Sequence, residues 1–153
     1  MNELKRILLV EDNDNDVELT LSALASINLA NSVDVVDDGA EALDYLHYQG
    51  RFSERPQGYP VVVILDLKLP KVSGLEVLRE IRGDPQLKQL PVVILTSSKE
   101  EKDVITGYDL GVNAYVVKPV GFNAFAVAVK ELGYFWAIVN EPPQKFSPGT
   151  IAS

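Results

Sequence analysis

The chain has 153 residues, of which 46% are hydrophobic and 24% are charged, proportions that are usual for one globular domain. It contains no cysteine, which excludes disulfides, thiolate metal sites and cysteine nucleophiles. The formal net charge of −8 argues against nucleic acid or an anionic membrane as a partner, because phosphates attract basic surfaces.

The apolar runs of the chain are short, at about five to six residues, whereas a membrane-spanning helix needs about 20. The N-terminal apolar run ends in acidic residues and has no small-residue cleavage site, so it does not resemble a signal peptide. We therefore expect a soluble, cytoplasmic protein.

Five apolar runs alternate with helical patterns. Several are apolar at every position, which is typical of strands that are buried on both faces of a parallel sheet. The predicted strands are Ile7–Val10, Val33–Val36, Val61–Leu65, Val92–Leu95 and Ala114–Val117. Right-handed crossovers between them predict an α/β fold, a doubly wound five-stranded parallel sheet of (βα)5 pattern. We expect the strand order 2-1-3-4-5, which is one of the common orders of such sheets.

The helices carry end signals of their own. Ser73 with Glu76 and Ser98 with Glu101 have the spacing of capping boxes, which predicts a helix start at each pair. The second helix is predicted to end at Gly50.

The end of the chain has a different composition. Residues 141–153 contain three prolines and a glycine, which predicts a disordered tail after a domain of residues 1–140.

Polar side chains follow the strands at their carboxyl ends, where doubly wound sheets bind ligands. Strand one is followed by Glu11 and Asp12, strand three by Asp66, strand four by Thr96 and strand five by Lys118. Three crowded carboxylates either raise the pKa of one of them or recruit a cation, and hard oxygen donors suit Mg²⁺. Asp66 is a plausible nucleophile, since carboxylates form aspartyl phosphates, and Mg²⁺, Lys118 and Thr96 would then neutralise the phosphoryl oxygens.

The segments around these residues resemble the motifs of the bacterial response-regulator receiver domain, in the CheY-like superfamily. They are VEDND, ILDLKLPKVSG, ILTSS and YVVKP, in a resemblance that covers residues 5–139. The resemblance implies a flavodoxin-like fold and a two-component phosphorelay. In it, Asp66 accepts a phosphoryl group from the phosphohistidine of a sensor histidine kinase or a histidine phosphotransfer protein. Such a chain is a signalling switch and not a turnover enzyme, although it catalyses its own Mg²⁺-dependent phosphotransfer and dephosphorylation.

The resemblance also implies a role for each site residue. The Mg²⁺ ligands would be Glu11, Asp12, Asp66 and the backbone carbonyl of Lys68, with Glu11 standing where the family more often has Asp. Thr96 and Lys118 would bind the phosphoryl group, Thr96 and Tyr115 would form the switch, and the Lys118–Pro119 peptide bond would be cis. Phosphorylation would then remodel the face of helix 4, strand 5 and helix 5.

A finer similarity is to the stand-alone regulators that are paired with bacterial phytochromes. It depends on the long loop over residues 51–59, on PVVILTSS and on the aromatic GYFW that ends helix five. It implies a phytochrome-type kinase as the partner.

Helix five has two apolar sides. The side predicted to cover the sheet comprises Phe122, Phe125, Ala126, Val129, Leu132 and Trp136. Val127, Tyr134 and Ile138 lie on roughly the opposite side, with Phe135 between the two. This second stripe predicts a homodimer through helix five, and the alternative is that the C-terminal tail covers it.

Two other functions use similar residues. A phosphatase of the haloacid-dehalogenase type also combines an aspartyl nucleophile with Thr or Ser, Lys and Mg²⁺, but it needs a second Asp where this chain has Lys68. A pseudo-receiver would bind partners without phosphorylation, and the complete acidic cluster argues against it.

Overall fold

The computed structural model describes residues 6–143 and Phe146. In this part of the chain, five strands alternate with five helices. The strands are β1 Ile7–Val10, β2 Val33–Val36, β3 Val62–Leu65, β4 Val92–Thr96 and β5 Ala114–Val117. The helices are α1 Asp14–Ala25, α2 Gly39–His47, α3 Gly74–Gly83, α4 Glu101–Asp109 and α5 Phe122–Tyr134, which continues as a π-helical segment, Phe135–Val139.

All strand pairs are parallel, and the order is β2-β1-β3-β4-β5, as predicted. Successive strand residues face opposite sides of the sheet and so form two cores. On β1, Leu8 and Val10 face the core beneath α2 and α3, whereas Ile7 and Leu9 face the core beneath α1 and α5. Burial on both sides explains why β1 and β3 are apolar at every position.

Two of the predicted helix ends are wrong. Helix α2 ends at His47, because Tyr48 adopts the left-handed conformation (φ 57°) and its hydroxyl contacts the backbone of Gly58. Ser73 caps α3 as predicted, by accepting a hydrogen bond from the Glu76 amide at 3.3 Å.

Ser98 does not cap α4. Helix α4 follows Glu100, and the Ser98 hydroxyl donates to the Asp103 carboxylate at 2.5 Å. Ser98 thus connects the β4–α4 loop to the first turn of the helix.

The continuous helix Phe122–Val139 has 18 residues and is apolar enough, by length and composition alone, to cross a membrane. The same helix packs on α1, where a Cβ at Gly133 would lie 2.4 Å from the Leu24 side chain. Phe125 and Val129 are buried in the core beneath it, so part of its apolar character belongs to this packing.

Part of the C-terminal segment is packed. Phe146 is buried in the core beneath α2 and α3, with its ring 5.4 Å from that of Tyr59. Within the predicted tail, the structure describes residues 141–143 and Phe146, and the others lie outside the described residues. The domain boundary at 140 stays a prediction, although Phe146 shows that packing extends beyond it.

Candidate functional site

Hydrogen bonds continue the sheet by one residue beyond the strands, and this brings the predicted site residues to one edge. The Asp66 amide donates to the Val10 carbonyl at 3.1 Å, and the Lys118 amide donates to the Thr96 carbonyl at 2.7 Å. Glu11 follows Val10 directly. The backbone therefore fixes where each of these side chains starts.

The Lys118 ammonium is the centre of the site. Its Nζ lies 2.5 Å from Glu11 Oε1, 2.8 Å from Asp16 Oδ2 and 3.1 Å from Asp66 Oδ2. The Lys118 side chain is only 10% exposed, so these contacts are shielded from water. The ammonium therefore compensates a cluster of carboxylates that would otherwise repel one another.

Burial and charge move the pKa values of Glu11 and Asp66 in opposite directions. Burial and the charge of Asp66 raise the pKa of Glu11 to about 7, against the opposing effect of Lys118. Burial alone would raise the pKa of Asp66, but the hydrogen bond from Thr96 and the charge of Lys118 outweigh it and lower the pKa. Asp66 is thus the carboxylate that stays ionised.

Lys118 itself is stabilised as a cation. Burial opposes its charge, but the hydrogen bonds to Asp16 and Glu11 and the negative charges around it raise its pKa above the ordinary value.

Three carboxylates at this edge have the arrangement of a cation site. Glu11, Asp12 and Asp66 each offer an oxygen, and these oxygens lie within 4.8 Å of one another. Glu11 and Asp66 are buried, whereas Asp12 is exposed, so one side of the cluster is open to solvent. Hard oxygen donors with room for water fit a Mg²⁺-like ion.

A second acidic group, Asp37, Asp38 and Glu41, has a structural explanation. Asp38 caps α2 by accepting a hydrogen bond from the Glu41 amide at 2.7 Å. The Glu41 carboxylate pairs with Arg51 at 2.7 Å. These contacts account for the acids at the end of β2.

The loop after β3 is held close to Asp66. Asp66 Oδ1 accepts hydrogen bonds from the amides of Leu67 at 2.7 Å and Lys68 at 3.5 Å. A Cβ at Gly74 would lie 2.1 Å from the Asp66 carbonyl oxygen, so this close approach requires glycine. The role of the Lys68 carbonyl as a metal ligand stays a prediction.

The predicted switch residues are connected through Ser98. Thr96 is fully buried, and its Oγ1 accepts a hydrogen bond from the Ser98 amide at 3.4 Å. The Tyr115 hydroxyl donates to the Ser98 carbonyl at 2.8 Å. The Tyr115 ring lies against Gly107 of α4, where a Cβ would be 3.3 Å from the ring.

The predicted cis peptide bond is wrong, because the Lys118–Pro119 bond is trans. A trans bond before proline is favoured by about 0.5–1 kcal/mol. From this backbone the Lys118 side chain already reaches all three carboxylates, so no cis bond is needed to aim it.

The second stripe of helix five is exposed. The exposed fractions are 51% for Val127, 55% for Tyr134, 47% for Phe135 and 45% for Ile138. Phe122, which the helical wheel placed with the core side, is instead 66% exposed.

Asp16 is the site residue that the sequence reasoning missed. It lies in the first turn of α1, where the helix dipole by itself already favours an acidic residue. No local signal in the sequence therefore pointed to its contact with Lys118, which lies 102 residues away.

Comparison with known proteins gives a consistent result. The response regulator receiver domain family matches residues 7–130. Response regulator Rcp1 of Synechocystis sp. is 39% identical over 135 residues, which are 88% of this chain and 90% of Rcp1. The Mn²⁺-bound form of Rcp1 has a TM-score of 0.84 at 38% identity, covering 91% of this chain and 99% of that one.

Two further solved structures are similar. The phosphorylated cyanobacterial phytochrome response regulator RcpA has a TM-score of 0.86 at 40% identity, covering 92% of this chain and 99% of that one. The bacteriophytochrome response regulator AtBRR is 59% identical with a TM-score of 0.73, covering 92% of this chain and 100% of that one. Together with the strand order and the cluster around Lys118, these similarities show that the chain belongs to the response regulator receiver domain family.

Proposed function

We propose that Asp66 accepts a phosphoryl group from a phosphohistidine of a sensor histidine kinase or histidine phosphotransfer protein. The observation that carries this proposal is a buried carboxylate 3.1 Å from a lysine ammonium, directly after β3. The lowered pKa of this carboxylate supports it. An Asp66 oxygen forms the new O–P bond while the N–P bond of phosphohistidine breaks, and the imidazole nitrogen keeps that electron pair. Water later breaks the O–P bond and releases inorganic phosphate.

The metal in this proposal is Mg²⁺, held by Glu11, Asp12, Asp66 and the Lys68 carbonyl. The oxygen cluster and its open side support a small hard cation, and the Mn²⁺-bound form of Rcp1 supports a divalent ion. When bound, the ion would supply positive charge for the phosphoryl oxygens.

Thr96 and Lys118 supply the other contacts to the phosphoryl group in this proposal. The Lys118 ammonium is already within hydrogen-bond distance of Asp66, and Thr96 helps to lower the pKa of the Asp66 carboxylate. Both donors are built into the sheet before any phosphoryl group arrives, so little reorganisation is needed.

The output is a change in the face formed by α4, β5 and α5. Thr96 and Tyr115 both bond to Ser98, so a shift of Thr96 toward a phosphoryl group would pull on the loop that holds the Tyr115 hydroxyl. Such a local change biases a two-state equilibrium of this face.

We further propose a phytochrome-type kinase as the partner, a homodimer through Val127, Tyr134, Phe135 and Ile138, and a cytoplasmic location. The names of RcpA and AtBRR support the kinase, and the exposed apolar stripe supports the dimer.

Variant Tyr134→Glu with Ile138→Lys is expected to be monomeric by analytical ultracentrifugation. A wild type that is monomeric at tens of micromolar, with and without phosphorylating agent, refutes the dimer.

The test of phosphorylation uses acetyl phosphate with Mg²⁺ and the intact mass of the protein. Wild type gains one phosphoryl group, Asp66→Asn gains none, and the exposed Asp109→Asn on α4 gains one as the matched control. Modification of Asp66→Asn to the wild-type extent contradicts the assignment. Sustained turnover of small phosphate esters would instead indicate the phosphatase.

A further inference from the structure

Asp16 reaches the site from α1, although the helix start does not need its carboxylate. Asn13 caps this helix, because its Oδ1 accepts a hydrogen bond from the Asp16 amide at 2.9 Å. The Asp16 carboxylate instead accepts from Lys118 Nζ at 2.8 Å, across 102 residues of sequence. Its side chain is 23% exposed, so water only partly competes for this contact.

The number of donors on Lys118 limits what it can bind. An ammonium has three N–H groups and no acceptor, and here Glu11, Asp16 and Asp66 accept one each. An incoming phosphoryl oxygen must therefore displace a carboxylate or share an N–H with it.

The three carboxylates differ in this competition. Glu11 and Asp66 belong to the oxygen cluster that suits a cation, and Asp16 does not. When a cation and a phosphoryl group engage the other two, Asp16 is the acceptor left to hold the ammonium. The contact of Lys118 with Asp66 is also the longest of the three.

We propose that Asp16 is a positioning residue that holds Lys118 on the α1 side of the cleft and so weakens the binding of a phosphoryl group at Asp66. This inference rests on the proposed function of Asp66. Asp16 thereby disfavours the phosphorylated state, and it does so only through Lys118.

The test measures the affinity for beryllofluoride, an analogue of the phosphoryl group, by calorimetry at saturating Mg²⁺. The variant is Asp16→Asn, and the control is Asp14→Asn, which removes the same charge from an exposed residue on the same helical turn. Asp16→Asn is expected to bind about fivefold more tightly than Asp14→Asn, the change that one partly exposed ion pair of ordinary strength would give.

A second pair of variants shows whether the effect passes through Lys118. In a Lys118→Gln background, measured at concentrations that saturate the variant, adding Asp16→Asn is expected to leave the affinity unchanged. The inference is overturned if the gain persists in that background, or if Asp16→Asn binds no more tightly than Asp14→Asn. A wild type that neither binds beryllofluoride nor accepts a phosphoryl group refutes the proposed function and this inference together, whereas wild-type binding without the difference refutes only the role of Asp16.

Discussion

The pKa of Glu11 predicts that the protein loses stability as the pH rises through neutrality. Glu11 is 4% exposed, and burial raises its pKa from the ordinary 4.5 to about 7. A carboxyl whose pKa is higher in the folded state contributes stability that is complete below the unfolded pKa and is lost as the pH rises through the folded pKa. The window is therefore pH 4.5 to about 7, with most of the loss complete by about pH 8.

The magnitude follows from the difference between the two pKa values. Raising the pKa from 4.5 to about 7 corresponds to about 3 kcal/mol of unfolding free energy. For a domain of this size, that is a fall in Tm of roughly 6–12 °C. The pKa of Asp66 is lowered from its ordinary value of 3.8, so Asp66 changes the stability only below about pH 3.8, outside this window.

The assay is urea unfolding between pH 4.5 and 8.5 in buffer with a chelator, so that no divalent ion competes with the proton. Wild type is expected to lose about 3 kcal/mol across this range. Glu11→Gln should lose little, because an amide does not titrate. The control, Asn15→Gln, changes an exposed side chain that does not titrate and should keep the wild-type slope.

A Glu11→Gln protein whose stability falls as steeply as that of the wild type would refute the reasoning. It would mean that another group carries the proton.

Other perturbations have separate expected outcomes. Mg²⁺ should raise the Tm more at pH 8 than at pH 5.5, because the ion and the proton compete for Glu11; equal shifts at both pH values would argue against metal binding there. Phe146→Ala should cost about 3 kcal/mol in urea unfolding, the lower end for a buried phenylalanine; a loss below about 1 kcal/mol would mean that Phe146 does not pack in the core. Gly74→Ala should lower the Tm and reduce phosphorylation, since its Cβ would meet the Asp66 carbonyl at 2.1 Å. Gly83→Ala has open space and should be neutral or stabilising, and a similar loss in both variants would contradict the steric argument.

Local patterns in the sequence were sufficient to predict the fold. Continuous apolar runs such as Ile7–Val10 occur where a strand is buried on both faces, and the helical segments between them require parallel crossovers. The expected strand order, a common one for this pattern, is confirmed. The residues directly after the strands, including Glu11, Asp66 and Lys118, were equally predictable, because parallel strands present their carboxyl ends at one edge.

Contacts between distant segments required the tertiary structure. Tyr48 ends α2 because Gly58 binds its hydroxyl, and Ser98 bonds to Asp103 and Tyr115 in place of capping a helix. Local propensity predicts neither outcome, because it takes no account of contacts with other elements.

The functional site, like the fold, was predicted from the sequence only in part. The sequence by itself determined that acids, a hydroxyl and a lysine meet at one edge of the sheet. The apolar runs locate the strands, and parallel strands present their carboxyl ends at the same edge. Only the tertiary structure decided that Asp16 takes a third of the donors of Lys118 and that Phe146 packs in the core. Side chains of this length reach several neighbours, and the choice among those neighbours depends on packing, burial and charge in three dimensions.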